Sequence, residues 1–308
     1  MAIGVRLRKG ISGQARQEER DFFLFIAPWL VGLFVFILGP FLGSFYLGFT
    51  NYDGYHSPKW VGLHNYGALI RDDLFWTSLK VTSVYALMVV PLHIIFGLAL
   101  AVLLNQNVRG LAVWRTVYYA PAVVSGVAVA MLWTWVFNPE FGLLNAGLSL
   151  VGIKGPQWLY SKTWALPALV IMSLWGVGGS MVIYLAGLQG VPTELYEAAS
   201  IDGARAVRRF FAITLPLLTP VIFFMFITGI IGSFQTFTQA YIMTGGGPGN
   251  ATLFYVLYLY MKGFQQYAMG YASALAWVLF LIVLLLTITL VRTSTLWVYY
   301  EGGAEGTI

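Results

Sequence analysis

The chain has 308 residues, of which 59% are apolar and only 9% carry a formal charge. Soluble domains carry charge at about 25% of their positions, so this composition excludes a water-soluble enzyme and indicates an integral membrane protein. The absence of cysteine from the sequence excludes a disulfide scaffold, a thiolate metal site and a cysteine nucleophile. The net charge of +5 requires no nucleic-acid partner, because basic residues that flank membrane spans produce the same excess.

Six stretches of about 20 uncharged, largely apolar residues predict six membrane-spanning helices. The 52 uncharged residues between Arg209 and Lys262 hold one full span, because the glycine-rich run around Pro248 would break a longer helix. The short apolar piece from Leu253 to Met261 is predicted to be interfacial or partly inserted. The predicted spans cover residues 22–49, 80–109, 115–140, 164–188, 215–243 and 270–291.

The distribution of basic residues between the loops predicts the orientation, because cytoplasmic flanks of membrane spans retain Lys and Arg. Both termini are predicted to be cytoplasmic, with tails at 1–21 and 293–308 and a six-helix domain at 22–292. The first apolar run is too long for a signal peptide and is predicted to remain as an anchor. Eleven of the 17 basic residues lie on the side of the termini, namely Arg6, Arg8, Lys9, Arg16, Arg20, Arg109, Arg115, Arg205, Arg208, Arg209 and Arg292.

Within their bracketing charges, the predicted spans contain no Asp, Glu, Lys or Arg. Carriers coupled to protons usually hold such a group at the membrane midplane, so this class is disfavoured. His93, two residues after Pro91, is interpreted as a hydrogen-bonded packing residue near a kink. Nothing pairs Ser125 or Ser180 with a base, which disfavours an intramembrane hydrolase. A self-contained secondary sugar carrier and a membrane scaffold remain as alternatives to a transporter whose energy comes from a partner.

The longest loop on the predicted cytoplasmic side, residues 190–214, has the pattern of two short helices joined by a turn. Pro192 suits a helix start, and the acidic residues after it favour the positive end of a helix. Asp202 and Gly203 supply a stop and a cap for the next helix. This loop is predicted either to fit a groove on another protein or to lie on the membrane surface. One small, apolar flank of the first helix consists of Leu195, Ala198, Ala199 and Asp202.

The same loop resembles the EAA loop of ABC importer permeases. The matching residues are Glu197-Ala198-Ala199, Asp202-Gly203-Ala204, Phe211, Ile213, Leu215-Pro216 and Pro220. Further residues resemble the carbohydrate-uptake branch of these permeases, the MalF/UgpA/LacF type. They are Asn65-Tyr66, Phe75-Trp76, Pro121, Trp133, Thr244 to Pro248 and Gly270 to Ala274. The resemblance therefore extends over nearly the whole chain.

This resemblance implies an all-α membrane protein with six transmembrane helices and the type I ABC importer permease fold. It implies a bacterial or archaeal cell membrane, a second homologous permease, an ATPase dimer and an extracytoplasmic sugar-binding protein. ATP and Mg²⁺ would bind the ATPase subunits. This chain is therefore not expected to be an enzyme or to hold a cofactor or metal. The sequence contains no G-x-x-x-x-G-K-[ST] motif. The residues implied to couple to the ATPase are Glu197, Ala198, Ala199, Asp202 and Gly203.

A neutral sugar in a membrane path needs hydrogen-bonding side chains and an aromatic face in an otherwise apolar cavity. No positive charge is visible in the spans, which favours a neutral sugar over a phosphorylated one. The alternative role of Gln235 and Gln239, one turn apart, is to bond the partner permease. The fourth and fifth spans supply the residues implied to line the path, which are Trp175, Gly176, Gly179, Gln235, Thr236 and Gln239.

Overall fold

The computed structural model describes residues 13–106 and 109–299, and these residues are mostly helical. Two pairs of helices are bent at a short break, and counting each pair as one span gives the six spans predicted from the sequence. The third span is the pair Leu111–Val123 and Gly126–Val136, and the fourth is the pair Ala165–Leu174 and Gly178–Gln189. The other four spans are Gln17–Leu47, Asp73–Leu104, Thr219–Met243 and Met269–Ser294.

The chain contains short helices and non-α turns besides the spans. The α-helices are α1 (Gly13–Gly32), α2 (Gly39–Leu47), α3 (His64–Ile70), α4 (Asp73–Leu104), α5 (Leu111–Tyr119), α6 (Gly126–Val136), α7 (Leu143–Leu150), α8 (Ala165–Leu174), α9 (Gly178–Gln189), α10 (Thr193–Ile201), α11 (Ala206–Arg209), α12 (Leu215–Leu217), α13 (Thr219–Phe234), α14 (Thr238–Met243), α15 (Tyr255–Tyr260) and α16 (Met269–Ser294). π-Helical turns occupy Leu33–Leu38, Phe210–Thr214 and Met261–Gln265, and 3₁₀ turns occupy Ala120–Val123 and Trp158–Tyr160.

The span boundaries differ from the predicted ones where a polar residue starts a helix outside the apolar run. The second span begins at Asp73 rather than at residue 80, because Asp72 caps it by accepting the Leu74 N–H at 3.0 Å. Lys80 therefore lies on this helix, near its N-terminal end. The first helix begins at Gly13, within the predicted tail. Residues 1–12 and 300–308 of the predicted tails lie outside the described residues.

The third and fourth spans are not continuous helices. The 3₁₀ turn at Ala120–Val123 contains Pro121, and the chain turns by 98° before the helix resumes at Gly126. Proline has no backbone N–H to donate, so the regular helix ends there. The fourth span bends by 46° at a break that includes Gly176.

A large buried cluster joins the second, third and fourth spans to the segment 253–261. Phe254, Tyr255 and Leu257 of that segment are fully buried within the protein. Its position relative to the membrane interface stays a prediction. Tyr255 donates its backbone N–H to the Thr82 hydroxyl and its own hydroxyl to the Leu275 carbonyl, each at 2.9 Å. A second cluster consists of Leu98, Ala101, Leu104, Met181, Tyr184, Leu185, Leu188 and Leu218.

The loops gather at two ends of the bundle, because successive spans run in opposite directions. Loops 48–72, 137–164 and 244–268 share one end, which we call the hairpin end. There Thr50–Asn51 (β1) and Lys59–Trp60 (β2) pair as short antiparallel strands. The loop after Leu104 and the loop 190–218 share the other end, which we call the coupling end.

Candidate functional site

The loop 190–218 forms two helices joined by a turn, as predicted. Helix α10 has Pro192 at its N-cap and Glu194 in its first turn. Gly203 has a φ of +73°, a conformation that side chains with a Cβ rarely adopt. The Ala204 N–H reaches the Ala199 carbonyl at 2.8 Å, which closes the turn. The stop predicted at Asp202 and Gly203 is therefore where α10 ends.

Most of the predicted coupling residues lie on the outside of this loop. Glu197, Ala198, Asp202 and Gly203 are exposed. Ala199 is half-buried and lines a cleft of about 210 Å³ between α10 and the helix that follows it. Large apolar side chains that would be costly in water are exposed beside them, namely Leu195, Ile201, Val207 and Phe211.

Two side-chain hydrogen bonds fasten α10 to the chain that leads into the fifth span. The hydroxyls of Tyr196 and Thr214 lie 2.9 Å apart. Arg209 Nη1 donates to Ser200 Oγ at 2.7 Å. Helix α10 is therefore tied to the residues that precede the fifth span.

A cavity of about 260 Å³ lies within the bundle, between the second, fourth and fifth spans. Thr236 and Gln239, two of the predicted path residues, line it. The walls carry hydroxyl, imidazole and amide groups on an apolar background, and no charged side chain. The lining residues are Tyr85, Val89, Val90, His93, Ile94, Ser173, Tyr184, Met225, Gly229, Gly232, Ser233, Thr236 and Gln239.

The other four predicted path residues do not line this cavity. Gln235 is exposed and follows the end of α13. The Trp175 ring makes an edge contact with Trp133, with centroids 6.2 Å apart. Gly176 lies next to Trp175 in the break of the fourth span.

Gly179 belongs to a close approach between the third and fourth spans. A Cβ on Gly179 would lie 3.5 Å from the Ala122 side chain. A Cβ on the adjacent Gly178 would lie only 1.9 Å from the Tyr118 carbonyl oxygen. These glycines allow two backbones to pack together, as small residues commonly do in membranes.

His93 is hydrogen-bonded, as predicted. Its Nε2 lies 3.3 Å from Ser173 Oγ, and Ser173 Oγ in turn lies 2.7 Å from the Val170 carbonyl oxygen. This contact holds the imidazole against the cavity wall.

Two tyrosines complete the polar part of the cavity. The side chain of Tyr85 faces Ser173, Thr236 and Gln239. The Tyr184 hydroxyl is buried and has no hydrogen-bond partner among the described residues. A buried hydroxyl without a partner costs about 1–3 kcal/mol, so an incoming polar ligand would gain by bonding to it.

Sequence reasoning did not identify Tyr85, Ser173 or Tyr184 as cavity residues. One signal was present: Tyr85, Val89 and His93 are spaced four residues apart, which places both polar groups on one face of the second span. Ser173 and Tyr184 lie on either side of the bend in the fourth span. Their proximity depends on that bend, which the sequence did not predict.

Residues 93–295 match the family described as the binding-protein-dependent transport system inner membrane component. The chain belongs to this family. Its members are membrane components of transporters and are not themselves enzymes. The resemblance to carbohydrate-uptake ABC permeases and the prediction of a multi-pass membrane protein are thereby confirmed.

Curated relatives of this permease cover nearly its full length. It is 45% identical over 299 residues to the probable ABC transporter permease protein YesP of Bacillus subtilis, covering 96% of each chain. It is 36% identical to the trehalose/maltose transport system permease protein MalF of Thermococcus litoralis, covering 90% of this chain and 95% of the relative. These matches identify it as a sugar ABC transporter permease subunit.

The fold matches a solved importer. A crystal structure of a bacterial ABC transporter that imports the acidic polysaccharide alginate contains a chain that superposes with a TM-score of 0.81. The match has 21% sequence identity and covers 92% of this permease and 99% of that chain. The type I ABC importer permease fold is therefore confirmed.

Proposed function

We propose that this permease pairs with a second, homologous permease and imports a neutral sugar by alternating access, driven by ATP hydrolysis on a dimer of partner ATPase subunits. The observation that carries the proposal is the loop 190–218, which we call the coupling loop. Its exposed apolar side chains, together with helix α10 that is hydrogen-bonded to Thr214, provide a docking surface at one end of the bundle. The sequence holds no nucleotide-binding motif of its own.

The coupling loop connects directly to the walls of the cavity. It joins the fourth span to the fifth, and both spans line the cavity with Ser173, Tyr184, Thr236 and Gln239. An ATPase that binds Glu197, Ala198 and Asp202 would move the fourth and fifth spans together, which form two of the three walls of the cavity. That movement is the rocking that alternating access requires.

The cavity supports a neutral sugar as the substrate class. Its lining offers donors and acceptors without a charge, which suits hydroxyl groups. Its volume of about 260 Å³ is below the roughly 300–1,000 Å³ of most ligand pockets, so the second permease completes the site. We assign Gln235, which is exposed and outside the cavity, to the contact with that second permease. The assignment of Trp175, Gly176 and Gly179 to the path stays a prediction.

The coupling end is assigned to the cytoplasm and the hairpin end to the extracytoplasmic side of a bacterial or archaeal cell membrane. The Lys and Arg residues support this assignment, because Arg205, Arg208, Arg209 and Arg292 lie at the coupling end. An extracytoplasmic binding protein would then deliver sugar at the hairpin end.

Reconstitution tests the function. The permease, a second permease, the ATPase subunits and a binding protein are placed in lipid nanodiscs or vesicles, with labelled sugars that include maltose and trehalose. We expect ATP hydrolysis to rise when the sugar-loaded binding protein is added, and uptake to require ATP. Gradient-driven uptake by this chain alone would show that it is a secondary carrier instead.

A further inference from the structure

A second cavity, of about 640 Å³, lies at the hairpin end. It is bounded by the β-hairpin, helix α3 and the turn that follows Met261. Its size falls within the range of pockets that bind ligands or inserted side chains. Its polar lining residues are Asn51, His64, Asn65, Asp72, Lys262 and Gln266.

The walls of this hairpin-end pocket are fastened to the spans. The Gly270 N–H donates to the Tyr52 carbonyl at 2.9 Å, and a Cβ on Gly270 would lie 2.0 Å from the Thr50 carbonyl oxygen. The Asn65 amide donates to the Gly48 and Thr50 carbonyls at 3.0 and 2.9 Å. The hairpin is therefore attached to the N-terminal end of the sixth span.

The single carboxylate of the pocket is already satisfied by the protein. Asp72 accepts hydrogen bonds from the hydroxyls of Tyr258 and Tyr271 and from the Leu74 N–H. These three donors occupy both carboxylate oxygens. Asp72 is thus a structural tie between the second span, α15 and the sixth span.

The single lysine of the pocket has no such partners. Its ammonium lies over the rings of Tyr258 and Tyr271, 5.4 Å from each centroid. Within residues 13–106 and 109–299, no carboxylate lies within 4.0 Å of it and no hydrogen bond is made by it. Lys262 therefore presents three donors and a positive charge to the pocket.

The rim of the pocket carries exposed apolar and aromatic side chains. Leu63 is 69% exposed and Tyr55 is 75% exposed. Tyr267, between two lining residues, stands 5.4 Å from Tyr55, measured between ring centroids. Exposed tyrosines are enriched on surfaces that bind other proteins.

We propose that the hairpin-end pocket receives an acidic loop of the extracytoplasmic binding protein, and that an Asp or Glu carboxylate of this loop pairs with Lys262. The inference rests on the proposed function, because it takes the hairpin end to face outward. Charge complementarity selects the occupant: among the described residues the Lys262 ammonium has no carboxylate within 4.0 Å and makes no hydrogen bond, whereas Asp72 of the same pocket already accepts from Tyr258, Tyr271 and Leu74.

Docking at this pocket would act on the intramembrane cavity. Asp72 caps the second span, which carries Tyr85 and His93 into the cavity wall. Tyr271 lies on the sixth span and shares the same carboxylate. A protein that binds at Lys262 would therefore act on the outer ends of the second and sixth spans.

The test uses the assembled complex in nanodiscs and the binding protein that stimulates its ATP hydrolysis. We expect Lys262→Glu to raise the half-saturating concentration of binding protein at least tenfold relative to the wild-type complex. Lys262→Gln should raise the half-saturating concentration by less. Its difference from the wild type should shrink at high salt, because salt screens the pair between Lys262 and the carboxylate in the wild-type complex. The matched control is Lys59→Glu, an exposed residue on β2 outside the pocket lining, with a change below about twofold.

The outcomes separate this inference from the proposed function. Wild-type stimulation together with an unchanged half-saturating concentration in Lys262→Glu overturns the inference alone, as does an equal effect of Lys59→Glu. An effect of Lys262→Glu that disappears in nanodiscs without anionic lipid assigns the pocket to a lipid headgroup and also overturns it. A wild-type complex that no binding protein stimulates overturns the proposed function and the inference with it. Restoration of Lys262→Glu by an acid-to-Lys change in the binding protein would establish the pair.

Discussion

Gln235 and Gln239 differ in position although they are one turn apart in sequence. Gln239 lines the intramembrane cavity, whereas Gln235 is exposed just after α13 ends. We predict that Gln239→Ala raises the apparent KM for sugar uptake up to about tenfold, since one hydrogen bond contributes about 0.5–1.5 kcal/mol. Stimulated ATP hydrolysis should be retained. Gln235→Ala, at the contact assigned to the second permease, should leave the apparent KM unchanged in complexes that assemble, and an equal rise in KM in both variants would contradict the assignment of the cavity.

Gly203 is the residue at which the coupling loop depends on backbone conformation. Its φ of +73° costs a residue with a Cβ about 1–2 kcal/mol. We predict that Gly203→Ala leaves an assembled complex in which less ATP hydrolysis is coupled to uptake, measured as sugar transported per ATP. Gly147→Ala, in a helix with open space around the new Cβ, should have no effect. If Gly203→Ala transports as much sugar per ATP as the wild type does, the turn tolerates the strain.

Helix α10 carries Glu197, Ala198 and Ala199 of the residues proposed to couple to the ATPase, and Ala199 lies on its inner flank. Because Ala199 lines the narrow cleft with Ala204 and Ile213, a large side chain there would push α10 away from the chain behind it. We predict that Ala199→Trp lowers uptake at least tenfold in a complex that still assembles, measured by vesicle uptake and size exclusion. Ala199→Ser keeps the volume small and should transport normally. Normal uptake by Ala199→Trp would refute this role of the cleft.

The N-terminal end of the second span is an element held by one carboxylate. Burial raises the pKa of Asp72, but the hydrogen bonds from Tyr258, Tyr271 and Leu74, together with the charge of Lys262, lower it overall from its ordinary 3.8. A lowered pKa in the folded protein means that the stability contributed by Asp72 is present above the unfolded pKa and is lost as the pH falls through the folded one.

We therefore predict that Asp72→Asn lowers the melting temperature, because an amide cannot accept from all three donors. The loss should correspond to about 1–3 kcal/mol, and it should be the same at pH 8 and pH 5. Thermal unfolding in detergent measures it, with the neighbouring, exposed Asp73→Asn as the control. Equal melting temperatures for the two variants would mean that the carboxylate is not needed for the network.

The orientation of the whole molecule can be measured because the sequence contains no cysteine. Ser200 lies on the exposed part of the coupling loop and His56 lies on the hairpin, at the opposite end of the bundle. We predict that an impermeant maleimide added to intact cells labels His56→Cys and not Ser200→Cys. Permeabilised cells, in which both positions should react, provide the control. Labelling of position 200 in intact cells would reverse the orientation.

The sequence by itself determined the class of this protein, the number of spans and the two-helix pattern of the loop 190–214. These depend on local properties: runs of apolar residues long enough for a bilayer, and residues such as Gly203 whose backbone preference needs no distant contact. The EAA-like residues of the loop lie within one short stretch of chain, so the resemblance was visible without a fold.

Only the tertiary structure decided which polar residues meet. The break at Pro121 and the bend around Gly176 set how the third and fourth spans pack, and they bring Ser173 and Tyr184 towards the second span. Trp175 and Gly176 follow Ser173 closely in sequence, in the break at the end of α8. They nevertheless lie outside the cavity that Ser173 lines. The direction in which a side chain points depends on how its helix is rotated and bent. Long-range packing determines both. The pairing of Asp72 with Tyr258 and Tyr271 likewise joins residues far apart in the chain, so no periodicity in the sequence could reveal it.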